Sequence, residues 1–310
     1  MDAPRILVLG ASGQIGWELC RSLACLGHVT AMGRCEADLA KADSIRNVMR
    51  NTVPTVVINA AAYTAVDQAE TEPEIATAVN ATAPGILAEE ARRLGSLLIH
   101  YSTDYVFDGT KQSAYLETDD PNPLNVYGQT KLAGDLAIEG VGGTYLIFRT
   151  SWIYGPRGKN FLLTMLDLAR KGSELRIVND QIGAPTPSIT VAQATAAVLA
   201  RISGPAGLSL NGRSGVYNLT TAGETSWYEF ARAILGRAAA ASAYTIPKLI
   251  PIPSREYKLP AKRPANSRLS GKKLADAFRL TLPHWEDALS LVMEAVVERA
   301  GQARWFRMCN

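Results

Sequence analysis

Tyr127 and Lys131 stand four residues apart in the segment Tyr-Gly-Gln-Thr-Lys, a spacing that stacks both side chains on one face of a helix, one turn from each other. A phenol titrates near about 10 and exchanges protons poorly at neutral pH, but an ammonium group beside it favours the phenolate and lowers that value. Such a pair can pass a proton to a carbonyl oxygen. The spacing alone is a weak signal in a chain with eleven tyrosines. Tyr244 and Lys248 repeat it, yet Pro247 between them removes an N–H and disfavours helix for its neighbour. The surroundings of Tyr127 must separate the two pairs.

Residues 5–9 form a short apolar run that ends at Gly10-Ala11-Ser12-Gly13-Gln14-Ile15-Gly16, and residues 17–26 carry a helical pattern. Strand, glycine turn and helix together aim backbone N–H groups and a helix N-terminus at a pyrophosphate, where side chains would block the approach. The spacing here is G-x-x-G-x-x-G rather than G-x-G-x-x-G, and the flanking elements are what make it specific. Gly10, Ser12, Gly13, Gln14, Ile15 and Gly16 are the expected dinucleotide contacts. The second strand, residues 29–32, ends at Gly33-Arg34. An acid at that point selects NAD through the ribose hydroxyl, whereas an Arg accommodates the extra phosphate of NADP. Arg34 therefore points to NADPH in preference to NADH, and Asp38 and Leu39 are placed at the adenine edge.

Alternation continues through a helix at 42–50, a strand at 55–62, a helix at 73–94 and a strand at 96–102. Continuous apolar strands alternating with helices predict an α/β fold, a doubly wound parallel sheet of Rossmann type. Ligands bind such sheets beyond the carboxyl ends of the strands. Ala60, Ala61 and Ala62 follow the third strand with side chains small enough for a cofactor to lie close. Thr103 and Asp104 follow the fourth with a hydroxyl and a carboxylate, and Trp152 follows a strand at 145–148 with an aromatic wall. Tyr127 and Lys131 fall between the last two, beside the expected dinucleotide.

A chain of 310 residues with 47% hydrophobic and 20% charged residues and a net charge of +3 is large enough for one large or two smaller domains. It shows no basic run with interleaved aromatics that would fit nucleic acid. No apolar run approaches the ~18 residues of a membrane span. Cys20, Cys25, Cys35 and Cys309 lack metal or redox spacing, and His28, His100 and His284 are scattered, so no metal is expected and a cytoplasmic setting fits.

Six blocks in order resemble the dTDP-4-dehydrorhamnose reductase branch of the extended short-chain dehydrogenases/reductases. They are Asn59-Ala-Ala-Ala-Tyr-Thr-Ala-Val-Asp67, Tyr101-Ser-Thr-Asp-Tyr-Val-Phe-Asp-Gly109, Pro123-Leu-Asn-Val-Tyr-Gly-Gln-Thr-Lys131-Leu-Ala-Gly134, Arg149-Thr-Ser-Trp-Ile-Tyr154, Asn179-Asp-Gln-Ile-Gly-Ala-Pro-Thr186 and Arg263-Pro-Ala-Asn-Ser-Arg-Leu269. The resemblance implies reduction of the C4 ketone of a dTDP-sugar, with Thr103, Tyr127 and Lys131 catalytic and Val66, Thr103, Asp104 and Trp152 near the sugar. Tyr127 and Lys131 would also touch the cofactor. Arg263 and Asn266 would reach the substrate, Arg263 being suited to a diphosphate. Some relatives pair through acidic, metal-bridged contacts; Pro187-Ser188-Ile189 supplies no acid here, which leaves monomer and homodimer open. Residues 1–152 are expected to bind the dinucleotide, with parts of 186–212 and 244–253 returning to that domain. Residues 153–185, 213–243 and 254–310 are expected to build a smaller α/β domain over the sugar nucleotide. Two other functions fit the same frame: an epimerase or dehydratase, and a non-catalytic NADP-binding regulatory subunit. Intact Thr103, Tyr127 and Lys131 weigh against the second.

Overall fold

The computed structural model describes residues 3–172, 174–204, 207–240 and 246–308, with side chains followed to residue 296. Tyr244 and Cys309 lie outside the described residues; Lys248 opens a strand, not a helix. The central sheet contains β1 (Arg5–Leu9), β2 (His28–Met32), β3 (Val56–Asn59), β4 (Leu97–Thr103), β5 (Tyr145–Thr150) and the strand Gly215–Asn218. All pairings are parallel, in the order Gly215–Asn218, β5, β4, β3, β1, β2. The chain leaves β1 in one direction to β2 and in the other to β3. The crevice at that reversal is where such sheets bind ligands.

Successive side chains of the strands enter opposite cores. Ile6, Val8, Val56 and Ile58 pack with helix α1 (Gln14–Ser22) and the helix Ser188–Ile202. Leu7, Leu9 and Val57 pack against α2 (Ala42–Thr52) and the helix Ala83–Leu94. All of β3 and β4 is buried, which explains the apolar runs at 56–58 and 97–99. A third cluster lies apart from the sheet, joining Tyr154 and the helices Phe161–Lys171 and Trp227–Ala240 to Trp285, Leu289, Val292 and Met293.

Some boundaries differ from those expected. Helix α1 starts at Gln14 instead of 17, because extended Gly13 already serves as its N-cap. The third strand stops at Asn59, and the Ala60 N–H gives a last bond to the Leu9 carbonyl (3.0 Å) before the alanines turn away. The helix expected over 73–94 contains a one-turn π segment, Ala78–Thr82, a widening common near functional sites. Lys248–Ile252, expected to return to the main sheet, instead pairs with Glu174–Val178 beside the third cluster. Gly215–Asn218, expected in the smaller unit, pairs with β5. Leu274 and Phe278 of the helix Lys272–Phe278 likewise join the core under the main sheet. Apolar strands of this length carry no mark of which sheet they enter.

Candidate active site

The helix Val126–Val141 carries Tyr127 and Lys131, and its placement is set by three contacts. Asn125 caps it, accepting from the Gly128 N–H (2.8 Å) and donating to the Lys262 carbonyl (2.7 Å). Gly128 faces the Tyr105 carbonyl, where a Cβ would sit 2.2 Å from oxygen. Gly134 faces the Asn80 carbonyl in the π segment, with a Cβ position 2.1 Å away. The two glycines let the helix settle on backbone, and no larger residue fits there. Asn80 is fully engaged, accepting from the Tyr63 N–H and donating to the Tyr63 carbonyl and Thr130 hydroxyl.

This brings Tyr127 beside Thr103 at the carboxyl end of β4, with Lys131 one turn further along the same helix. The Tyr127 ring meets Tyr105 edge-on, 5.7 Å between centroids. Burial pushes the Tyr127 phenol up to about 12; a hydrogen bond with Thr103 opposes the rise, and the charges of Asp104 and Asp135 add to it. This direction is opposite to the one expected from the spacing. Lys131 is 1% exposed, and its Nζ is turned to the Tyr101 carbonyl (2.6 Å) and His100 Nε2 (3.0 Å). Burial lowers the Lys131 ammonium to about 8, partly offset by Asp135. A phenol near 12 is neutral throughout the physiological range, the form a proton donor requires.

Thr103 donates to Asp104 Oδ1 (3.0 Å) and accepts from the Tyr105 N–H. Burial raises the Asp104 carboxyl to about 6, against hydrogen bonds from Ser267 and Thr103. Ionised Asp104 holds the Thr103 hydrogen, whereas the protonated acid can donate to Thr103 Oγ1 and free that hydrogen for a substrate oxygen. As pH rises through about 6, turnover is expected to fall along a limb that Asp104→Asn abolishes. The pH dependence of kcat in both proteins checks this, and a limb retained in the variant would assign it to another group.

At the other side of the crevice Gly10 adopts a left-handed φ of +77°, and a Cβ there would lie 2.6 Å from the Ala61 nitrogen. A Cβ on Gly16 would lie 2.1 Å from the Gly10 carbonyl. Gly13 and Ser12 are exposed on the rim, Ile15 packs against the core, and α1 has neither a side-chain cap nor an acid in its first turn. Those free N–H groups and the stripped turn fit a pyrophosphate. Ala60, Ala61 and Ala62 form the facing wall. Gln14 has a second role, accepting from Asn160 Nδ2 (2.9 Å) and joining the turn to the N-cap of the helix Phe161–Lys171.

Arg34 is exposed after β2. Sequence reasoning missed Glu36, whose carboxylate accepts from the Gly33 N–H (2.9 Å) and lies 3.2 Å from where a Gly33 Cβ would be, with Ser12 Oγ at 3.8 Å. The turn closed by the Ala37 N–H on the Gly33 carbonyl brings it back; an acid four residues beyond the strand end was the available signal. Leu39 is buried in the core, and Asp38 caps its own turn by accepting from the Ala40 N–H, so both shape the loop.

Two expected substrate contacts are occupied. Arg263 forms a two-pronged pair with Asp67 (3.1 and 2.7 Å), one residue beyond Val66, which opens a short helix. Asn266 donates to the Lys111 and Ser113 carbonyls and accepts from Arg268, so its amide holds loops together. Trp152 has a left-handed φ of +48° and stacks on Trp227 at 3.5 Å, with Gly183 on its edge. A non-glycine residue held there implies a strained position that its packing maintains. A recess of about 350 Å³ lined by Asn179, Ile182, Thr225 and Tyr228 contains none of Thr103, Tyr127 or Lys131. Among the described residues no group of His, Cys, Asp or Glu has the geometry of a metal site, and no helix is long and apolar enough to cross a membrane.

A parallel sheet with a stripped glycine turn at its topological switch, facing a Thr–Tyr–Lys group across the crevice, defines a Rossmann-type oxidoreductase of the short-chain class. The profile of the RmlD substrate-binding domain matches residues 4–298, and the chain belongs to that family. It is 47% identical over 298 residues to dTDP-4-dehydrorhamnose reductase of Burkholderia thailandensis, covering 95% of this chain and all of the relative. The crystal structure of dTDP-4-dehydrorhamnose reductase from Bacillus anthracis in complex with NADP superposes with a TM-score of 0.87 at 30% identity, covering 95% of this chain and 100% of the other. UDP-glucose 4-epimerase of Thermus thermophilus, at 21% identity and a TM-score of 0.75 over 95% of this chain and 99% of that one, shares the fold.

Proposed function

We propose that this protein reduces the C4 ketone of dTDP-4-dehydro-L-rhamnose to dTDP-L-rhamnose with NADPH, as a cytoplasmic enzyme of sugar-nucleotide synthesis. The observation that carries this reading is the meeting of Thr103, neutral Tyr127 and buried Lys131 opposite the Gly10–Ala61 cradle. When bound, the nicotinamide supplies the hydride. Gly10, Gly13, Gly16 and the first turn of α1 hold the pyrophosphate, and Ala60–Ala62 admit the rest of the cofactor against backbone. Negative charge develops on the ketone oxygen during reduction. Tyr127 donates its proton there and Thr103 a hydrogen bond, so the donors act where the charge appears. Lys131, one helical turn away, supplies the positive charge that stabilises the phenolate left behind. Val66, Asp104 and Trp152 line the approach to the sugar, while Arg263 and Asn266 act by fixing the loops around it.

Arg34 and Glu36 flank the same ribose edge with opposite charges, which suits a 2′-phosphate on the arginine side and a free 2′-hydroxyl on the carboxylate side. NADPH is the preferred cofactor and NADH the second. Arg34→Ala is expected to lower kcat/KM for NADPH about tenfold more than for NADH, corresponding to about 1.4 kcal/mol of phosphate recognition. Equal losses with the two cofactors would remove Arg34 from phosphate recognition. The reaction itself is tested by the loss of reduced-nicotinamide absorbance with dTDP-4-dehydro-L-rhamnose. Tight NADPH binding without oxidation would transfer the chain to an epimerase or to a regulatory subunit.

A further inference from the structure

His100 is 1% exposed in the middle of β4, and the reaction described above does not use it. Both of its ring nitrogens are engaged. Asn59 Nδ2 lies 3.1 Å from Nδ1, and Lys131 Nζ lies 3.0 Å from Nε2. The amide of Asn59 cannot turn freely, because its Oδ1 accepts the Ala61 N–H at 3.2 Å. A backbone N–H only donates, so the oxygen belongs on that side and the NH₂ faces His100. Nδ1 must then accept. Burial above all holds the ring well below its ordinary titration range, so it is neutral and carries its single hydrogen on Nε2. That hydrogen points at Lys131 Nζ.

We propose that His100 is a positioning residue that controls the charge of Lys131: locked from behind by Asn59, it turns an N–H toward the amine and favours the neutral form in the cofactor-free enzyme. An ammonium has no lone pair to receive that hydrogen; an amine has one and can still donate to the Tyr101 carbonyl. The other groups around Nζ do not reverse the preference. Asp135, one turn along the same helix, favours the charge, but it is shared with Arg149 of β5 (3.4 Å) and with the Ser102 hydroxyl (2.7 Å). Tyr127, one turn earlier, is a neutral phenol.

Charging Lys131 requires the hydrogen to move to Nδ1 and the Asn59 amide to turn its oxygen toward it. The Ala61 N–H then loses its acceptor in the wall that packs on Gly10. The charge of the catalytic lysine and the shape of the cofactor wall are thus one equilibrium.

This inference rests on the catalytic assignment of Lys131 and is tested without substrate. The chain has three histidines, so ¹⁵N-histidine labelling resolves each ring, and the signal missing from His100→Gln identifies His100. At pH 9, above the value of about 8 to which burial brings Lys131, the cofactor-free protein is expected to show His100 protonated on Nε2 alone. A hydrogen on Nδ1, or an imidazolium, overturns the inference. Asn59→Asp provides the second reading. A carboxylate accepts from both the Ala61 N–H and Nδ1–H, so the tautomer should flip and the loss of turnover that accompanies deprotonation of Lys131 should move up by about one pH unit, a tenfold change in the proton equilibrium. An unmoved tautomer in that variant overturns the inference as well. Inactivity toward the sugar would count against the proposed reaction and leave the tautomer result standing.

Discussion

Tyr127→Phe is expected to lower kcat by about 10²–10⁴, the range associated with loss of a positioned general acid. At room temperature this is about 3–5 kcal/mol of barrier. The variant removes one oxygen from a half-buried ring that keeps its edge-on contact with Tyr105, so folding should be unaffected. Cofactor affinity should change little, since the glycine turn and the alanine wall lie across the crevice. Titration of NADPH binding alongside single-turnover reduction separates the two effects. Turnover at the parental rate would exclude Tyr127 as the proton donor and leave Thr103 or a solvent path.

Arg149→Met should produce the largest loss of stability, about 3–5 kcal/mol, the cost of leaving one member of a buried ion pair without its partner. Arg149 and Asp135 are 5% and 1% exposed, and Asp135 also receives the Ser102 hydroxyl. Burial raises the Asp135 carboxyl even with this support; the charge of Arg149 is the largest opposing influence, followed by that of Lys131. Without Arg149 the carboxylate keeps only the hydroxyl and the more distant ammonium. Because the pair joins β5 to the helix that carries Tyr127 and Lys131, activity should fall together with stability. Chemical denaturation followed by tryptophan fluorescence measures the first, and a change below about 1 kcal/mol, the size of a surface pair, would show that water or rearrangement replaces the guanidinium.

Much of this protein is determined locally in its sequence. The order of strands and helices follows from the periodicity of apolar residues, and the glycine turn from the absence of side chains at Gly10, Gly13 and Gly16. Tyr127 and Lys131 share a face because four residues make one turn. Each of these depends on neighbours a few positions away. The tertiary structure decided what depends on distant partners. Lys248–Ile252 joins Glu174–Val178 and not the main sheet, a choice between edges that the strand's own residues do not encode. Arg263 has the chemistry of a diphosphate ligand, and the fold pairs it with Asp67, far away in the chain; the Asn266 amide is likewise set by the Lys111 and Ser113 carbonyls. Glu36 returns to the Gly33 N–H only through the fold of its turn. The ionisation of the site belongs to this second group as well. Spacing alone suggests that Lys131 depresses Tyr127, whereas burial raises the phenol and turns the amine toward His100 and Tyr101, because desolvation is a property of the assembled core and not of the helix.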